Sequence, residues 1–389
     1  MRFLHTSDWH IGKKLEGRDR LEEQRAVLDE IVSVAERENV DVVLVAGDVF
    51  DTYLPSAEAE DLFYDTVMKL SARKRLVVVI SGNHDDAMRL CAAVPLAEKL
   101  GIVLAGNINA EIHTGIATEN ARVLSAGAGW LTCESRDKER AFLSLIPYPT
   151  ENRYKENAVE GETFSDKMKR WLHAGVAYNA ERLPVVMVGH FFTVGGEVSD
   201  SEREIDLGGA RAVTRSIMPD CAYIALGHLH KKQVMNKTGT IRYSGAILQY
   251  SFDECSVEKA VVVFDLSGGK IENLREIPLQ SGVRLKRISA CDLADAEEQL
   301  EKARDYYVEL TLTLSRPLAF SENKHLRTLF PNLLKLNLEL TEDRSARELS
   351  RKNLSDREMF VEYYKTKYGK EPEEELLSLY LEIMEELNQ

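Results

Sequence analysis

Short apolar runs that each end in a polar motif, with helical segments between them, constrain this chain more than anything else in it. Val42–Ala46 and Leu76–Ile80 are apolar throughout. A strand without polar/apolar alternation is buried on both faces, so its sheet must be covered on both sides. Arg2–Thr6 reads as a further strand ahead of them. Between the strands, Leu21–Arg37 places Val27, Leu28, Ile31, Val34 and Ala35 on one helical face, and Ala57–Leu70 is helical in the same way. This βαβα order predicts a layered α/β fold. More strands are expected at Phe142–Ile146, Val185–Val188, Ala222–Leu226 and Ala260–Phe264. The polar stretch Asn152–Ser165 reads as a surface excursion.

The pattern changes after Ser281. Val283–Ser289 alternates as a strand and Asp292–Ala303 is helical. Tyr306–Leu314 carries Val308, Leu310, Leu312 and Leu314 on one face, Ser321–Phe330 is helical again, and Leu334–Leu340 is a strand. Beyond Thr341 the chain is highly charged and helical. The expected organisation is a large α/β domain over 1–280, a small α+β domain (βαβαβ) over 281–341 and a helical tail over 342–389. A length of 389 residues with 44% hydrophobic content allows this many cored units.

Composition narrows the class. No run of 18 apolar residues occurs and the N-terminus lacks a signal-peptide pattern, so no membrane association is expected. The five cysteines are scattered without a C-x-x-C, which argues against a disulfide framework and a thiolate metal site and favours the cytoplasm. The net charge of -14 argues against bulk coating of nucleic acid. Residues 370–389, however, hold one lysine and seven glutamates, six of those negative charges. A local basic groove elsewhere is therefore still allowed.

Five motifs follow the expected strands: Asp8-Trp9-His10, Gly47-Asp48, Gly82-Asn83-His84-Asp85, Gly189-His190 and Gly227-His228-Leu229-His230. Strand ends in α/β sheets converge on one crevice, and the glycines let the backbone turn off the strand close to it. Carboxylate, imidazole and amide donors without thiolate suit manganese, iron or zinc. So many donors imply two divalent ions. Asp8, His10 and His230 would hold one, Asn83, His190 and His228 the other, and Asp48 would bridge them. A pair of ions with two aspartates and a hydroxide leaves a net positive site that attracts a phosphodiester. His84 directly follows a ligand and is assigned to the leaving group as acid or transition-state donor. Lys13, Lys14, Arg18 and Arg20 follow the first motif, and Lys231 and Lys232 the last, which puts basic side chains beside the site to contact a polyanionic substrate. His5 reads as a packed structural residue; His113, His173 and His325 read as surface residues.

These motifs resemble the calcineurin-like metallophosphoesterase family, and the flanking Leu4–Gly12, Ala46–Thr52, Tyr223–Lys231 and Tyr250–Glu254 resemble its DNA nuclease branch. The resemblance implies two mixed sheets flanked by helices, with a small capping domain and a helical tail. It implies the ligand set above and His84 as the catalytic histidine. Gly245-Ala246-Ile247 departs from the expected Gly-Ser-Pro, outside the ligand set. By resemblance the activity is manganese-dependent cleavage of DNA, as a 3′-to-5′ exonuclease on duplexes and an endonuclease on single strands and hairpins. The alternative is a phosphomonoesterase or protein phosphatase on the same core. Against it, Asp51-Thr52 and Asp85 stand where protein phosphatases carry Asp-Arg-Gly and Glu. A scaffold with a degenerate site is the other rival, and the complete donor set argues against it.

The resemblance also implies partners. A coiled-coil ATPase would supply ATP dependence, since this chain has no phosphate loop of the G-x-x-x-x-G-K-[ST] type. A homodimer within a heterotetramer is expected, with Ala57–Leu70 (Leu62, Phe63, Val67, Leu70) and a helix near Leu90–Leu100 across the two-fold axis. The tail would dock the ATPase. Ser355 and Glu358 fit a capping box, and Phe360, Tyr363, Tyr364 and Tyr368 follow at helical spacing. Gly369 and Pro372 punctuate. Leu376, Tyr380, Ile383 and Leu387 then form a second stripe, with Leu377 and Met384 beside it.

Overall fold

The computed structural model describes residues 1–154, 161–202 and 212–340, with scattered positions between 357 and 380. The chain runs through β1 (Arg2–Thr6), α1 (Leu21–Arg37), β2 (Val42–Ala46), α2 (Ala57–Ser71) and β3 (Leu76–Ile80). Two short helical pieces, α3 (Ala87–Leu90) and α4 (Val94–Ala97), lead into β4 (Ile102–Ala105), β5 (Ala121–Gly127), β6 (Trp130–Ser135) and β7 (Arg140–Ile146). Then come α5 (Glu151–Tyr154), α6 (Phe164–Val176), β8 (Val185–His190), β9 (Tyr223–Gly227), β10 (Gln233–Val234), β11 (Ile241–Tyr243), β12 (Ala260–Ser267) and β13 (Lys270–Pro278). Last are β14 (Leu285–Ala290), α7 (Leu293–Glu301), β15 (Tyr307–Leu314), α8 (Phe320–Leu329) and β16 (Leu333–Leu340).

Among the described residues, two large mixed sheets form. The first has the order β13-β12-β1-β2-β3-β4, parallel from β1 to β4 and antiparallel at β12 and β13. The second has the order β10-β11-β9-β8-β7-β6-β5, parallel across β11, β9, β8 and β7. The continuous apolar runs explain the layering. In β2, Val43 and Val45 join a core with Val27 and Ile31 of α1 and Phe63 and Val67 of α2. Val42, Leu44 and Ala46 point the other way, into a core shared with Val186, Val188 and Ala225 of the second sheet. Met168, Trp171 and Leu172 of α6 cover that sheet's far face with Met187, Ile224 and Leu226. The parallel strands β2, β3, β8 and β9 are thus buried on both faces, as their apolar runs require.

Two expectations need correction. Leu90–Leu100 is not one helix but a series of short turns, because Pro95, in the first turn of α4, has no backbone N–H to continue the preceding helix. Leu62, Phe63, Val67 and Leu70 are buried in the chain's own core beneath α2, not displayed for a second copy.

The chain divides into two compact units: Met1–Arg287 with Ala303–Glu309 and Asn332–Lys335, and Ile288–Lys302 with Leu310–Pro331 and Leu336–Gln389. A small sheet of order β14-β15-β16 accompanies α7 and α8. The second unit buries Leu310 and Leu312 of β15, Ala296 and Leu300 of α7 and Leu326 of α8. Asp292 caps α7 by accepting from the Asp295 N–H. In the tail, Phe360 stacks on Tyr380 at 4.1 Å and lies 6.0 Å from Tyr364, so the two expected apolar stripes meet each other. Ser355, Glu358, Tyr363, Tyr368, Gly369, Ile383, Met384 and Leu387 lie outside the described residues.

Candidate metal centre

Parallel strands align their C-terminal ends, and five of these ends meet where the two sheets face each other. β1 delivers Asp8 and His10, β2 Asp48, β3 Asn83 and His84, β8 His190, and β9 His228 and His230. The backbone there is unusual. Asp8 (φ 52°), His10 (φ 45°), Asp48 (φ 49°) and His228 (φ 103°) all occupy the left-handed region. Non-glycine residues rarely do so, and each such residue costs on the order of 1–3 kcal/mol. Hydrogen bonds hold them: the Asp8 N–H donates to the Gly47 carbonyl and the His10 N–H to the Asp48 carbonyl, both at 3.0 Å. Glycine is needed at the crossing points. A Cβ on Gly227 would lie 1.9 Å from the Ala46 oxygen, and one on Gly47 would lie 2.3 Å from His190 Nδ1.

The donor atoms form three overlapping groups, each within 4.8 Å: Asp8, His10 and His230; His10, Asp48 and His84; Asp8, Asp48 and His190. Asn83 Oδ1 lies 2.9 Å from His190 Nε2 and 3.0 Å from His228 Nδ1. All of these residues are buried. The chemistry of the set fits cations. The Ala46 carbonyl can only accept, so His190 Nδ1, at 2.8 Å, carries the proton. Its Nε2, the ring nitrogen left for an ion, faces two acceptors, Asn83 Oδ1 and Asp48 Oδ2 at 3.4 Å. His10 Nε2 and His230 Nε2 likewise face each other at 2.9 Å. Acceptors crowded on acceptors are what a positive ion between them resolves.

Without an ion, protons and opposite charges share the cluster. Burial, reinforced by Asp48 and opposed by His190 and His230, leaves the Asp8 carboxyl raised to about 6. Burial would also raise Asp48, but His190 and His84 outweigh it and hold that carboxyl well below its ordinary range. Burial depresses His10, whereas for His190 the pull of Asp48 overcomes burial and raises it to about 9. His84 donates its backbone N–H to Asp48 Oδ1 at 2.8 Å, and its Nδ1 donates to the Asp51 carbonyl at 2.7 Å. Asp85 accepts from the N–H groups of Gly82, Val49 and Phe50, and so ties the β2 and β3 loops together.

The expected DNA contacts divide. Lys14 and Arg18 are exposed, and Arg18 stacks on Tyr307. Lys13 pairs with Asp51 at 2.9 Å, Lys231 with Asp253 at 3.4 Å and Lys232 with Glu276 at 3.0 Å, each lysine partly buried. Arg20 is a correction. It is 1% exposed, paired with Glu23 and hydrogen-bonded to the Gln249 and Val283 carbonyls, so it cannot reach a nucleic acid. His5 is the packed histidine expected, bonded to the Tyr223 hydroxyl and the Leu226 carbonyl. His113, His173 and His325 are exposed.

Sequence reading missed the residues that hold the donors. Arg153 sits over Tyr148 and grips the carbonyls of Gly82 and Asp85, each at 2.7 Å, supporting the loop that carries Asn83 and His84. Ser201, Glu202, Glu254 and Lys259 surround His230. Their signal was faint: a charged residue inside a stretch otherwise read as a surface excursion, and an Asp-Glu pair after Tyr250.

Residues 1–232 match the calcineurin-like phosphoesterase family, and residues 281–368 match the type 5 capsule protein repressor C-terminal domain. The chain belongs to the calcineurin-like phosphoesterase family. Among its curated relatives is the D subunit of the nuclease SbcCD from Bacillus subtilis (strain 168), 36% identical over 402 residues that cover 98% of this chain and 97% of the relative. The protein of the same name from Escherichia coli (strain K12) is 31% identical, covering 84% of this chain and 80% of the relative. That of Rhodobacter capsulatus is 35% identical, covering 77% and 74%.

Proposed function

We propose that this chain is the metal-dependent DNA nuclease subunit of an SbcCD-type complex. The observation that carries the reading is the buried cluster of Asp8, His10, Asp48, Asn83, His190, His228 and His230 with His84 beside it. Relatives named as nuclease subunits over nearly the whole chain support it. Asp8, His10 and His230 would hold one divalent ion and Asn83, His190 and His228 the second, with Asp48 between. Bound ions, which we take to be manganese, would polarise the phosphoryl oxygen and provide a nucleophile from water at neutral pH.

The chain's own residues do the rest. With Nδ1 committed to the Asp51 carbonyl, His84 exchanges protons through Nε2. As imidazolium it donates to the leaving oxygen. Asp51 also pairs with Lys13, so one loop couples the catalytic histidine to a cation at the surface. Lys13, Lys14, Arg18, Lys231 and Lys232 contact DNA phosphates. The expected products are those of a 3′-to-5′ exonuclease on duplexes and an endonuclease on single strands and hairpins, in repair, recombination and palindrome replication in the cytoplasm. Residues 1–280 act as the nuclease domain, 281–341 as its cap and 342–389 as the docking element for the coiled-coil base of the ATPase SbcC, in a heterotetramer built on a homodimer. No described helix is long and apolar enough to cross a membrane.

The decisive comparison is hydrolysis of a generic phosphodiester against its monoester, followed by end-labelled duplex and hairpin DNA. Manganese-dependent diesterase activity with DNA products supports the proposal. Activity confined to the monoester would reject it. Truncation after Thr341 tests the docking role: the shortened chain should keep single-strand cleavage and lose co-purification with SbcC, and unchanged SbcC binding would exclude the tail.

A further inference from the structure

We infer that Ser201 and Glu254 are positioning residues for His230, which fix the ring nitrogen it presents and so set the affinity of one of the two ion positions. The inference rests on the dimetal reading above.

His230 is held at every polar atom the chain can reach. Its N–H donates to Glu202 Oε1 at 2.7 Å, its carbonyl accepts from Lys259 Nζ at 2.8 Å and from the Ala246 N–H at 3.0 Å, and its Nδ1 meets Ser201 Oγ at 2.5 Å. Ser201 Oγ in turn lies 2.6 Å from Glu254 Oε1. Glu254 is fully buried and ion-paired with Lys259. The Lys259 ammonium paired with it holds it as a carboxylate.

The proton count then decides the tautomer. An ionised carboxylate only accepts, so the single Ser201 proton goes to Glu254. What Ser201 turns towards His230 is a lone pair, and Nδ1 must be the donor. The Nε2 lone pair is therefore free to face the position shared with Asp8 and His10. His10 has no such fixing: Asp51 Oδ1 lies 3.3 Å from its Nδ1 without hydrogen-bonding geometry. His190, in the other set, is fixed separately by the Ala46 carbonyl. Ser201 follows β8 and Glu254 precedes β12, far from Asn83 in sequence, and the polar contacts described for Ser201 and Glu254 reach His230 but not Asn83, His190 or His228. The relay thus serves one ion position and not both. Partners of this kind, behind a ligating histidine, are generally worth about 10–100-fold in metal affinity.

The test is calorimetric titration of the metal-free, full-length chain with Mn2+ alone. Wild type should show two binding events. In Ser201→Ala one event should weaken about 10–100-fold while the other stays within about twofold, and Ser201→Thr, which restores the hydroxyl, should recover it. Unchanged binding in Ser201→Ala, or equal weakening of both events, would overturn the inference. A wild type that takes up no Mn2+ would instead remove the dimetal reading, and the inference with it. Histidine-selective nitrogen-15 spectra of the metal-free wild type give a reading that needs no variant at Ser201. At a pH high enough to keep the ring neutral, the His230 ring, assigned by its loss in His230→Gln, should carry its one proton on Nδ1. A proton on Nε2 would overturn the inference.

Discussion

Gly82→Ala is the smallest change with the largest expected consequence. Gly82 is not in the left-handed region, so alanine brings no backbone penalty of that kind. The obstacle is space: the added Cβ would lie 2.1 Å from Asp48 Oδ1 and 2.3 Å from the Asp48 backbone nitrogen. Ordinary contact begins at 3.4 Å, so the backbone nitrogen is about 1.1 Å too close, and a backbone atom cannot swing aside as a side chain can. The loop carrying Asp48 and the loop carrying Asn83 and His84 must therefore part, against the bonds from the His84 N–H to Asp48 and from the Gly82 N–H to Asp85, both 2.8 Å. Overpacking of this sort costs about 1–3 kcal/mol of stability. A displacement of about 1 Å between reacting groups lowers rate by about 10²-fold. The assay is manganese-dependent cleavage of single-stranded DNA, with thermal unfolding alongside. Gly268→Ala is the control: its added carbon meets nothing within 4 Å, so only its left-handed φ of +54° should lower stability, and it should cleave normally. If Gly82→Ala cleaves within a few-fold of wild type, the close approach of these loops is not what the site depends on.

Other outcomes follow from the same geometry. His84→Gln should retain two ions and lose about 10²–10⁴ in cleavage, whereas Asp48→Asn should lower metal occupancy itself; the reverse pattern would exchange their roles. Burial, with Arg242 adding to it, lowers His5 to about 3 from 6.5. As pH falls below 6.5 the unfolded chain binds a proton that the folded chain refuses, so stability is lost from pH 6.5 down to about 3, at roughly 1.4 kcal/mol per pH unit. His5→Gln should flatten that slope in denaturant titrations of the metal-free protein, and an identical slope would remove His5 from the account. Neutralising Lys13, Lys14, Lys231 and Lys232 together should weaken DNA binding and reduce its salt slope by about one unit for each phosphate no longer neutralised; an unchanged slope would take them out of the footprint.

The gathering of these residues was legible because each follows a doubly buried strand, and such strands announce themselves by unbroken runs of apolar residues. Val42–Ala46 and Leu76–Ile80 needed no partner information to be read, and parallel pairing then brought their motifs together. What failed was whatever depended on contacts distant in sequence. Arg20 looks like part of a basic cluster, yet Glu23 and carbonyls of residues 249 and 283 draw it inside. Leu62 and Phe63 look the same whether an apolar face meets its own sheet or a second copy. Ser201 and Glu254 are ordinary polar residues until the fold brings them to His230.

The central claim is that two ions sit on this one constellation. Anomalous diffraction from crystals grown with Mn2+ tests it directly. The account predicts two peaks, one ligated by Asp8, His10 and His230 and the other by Asn83, His190 and His228, with Asp48 touching both and His84 touching neither. A single peak, or His84 among the ligands in place of one of these residues, would contradict it.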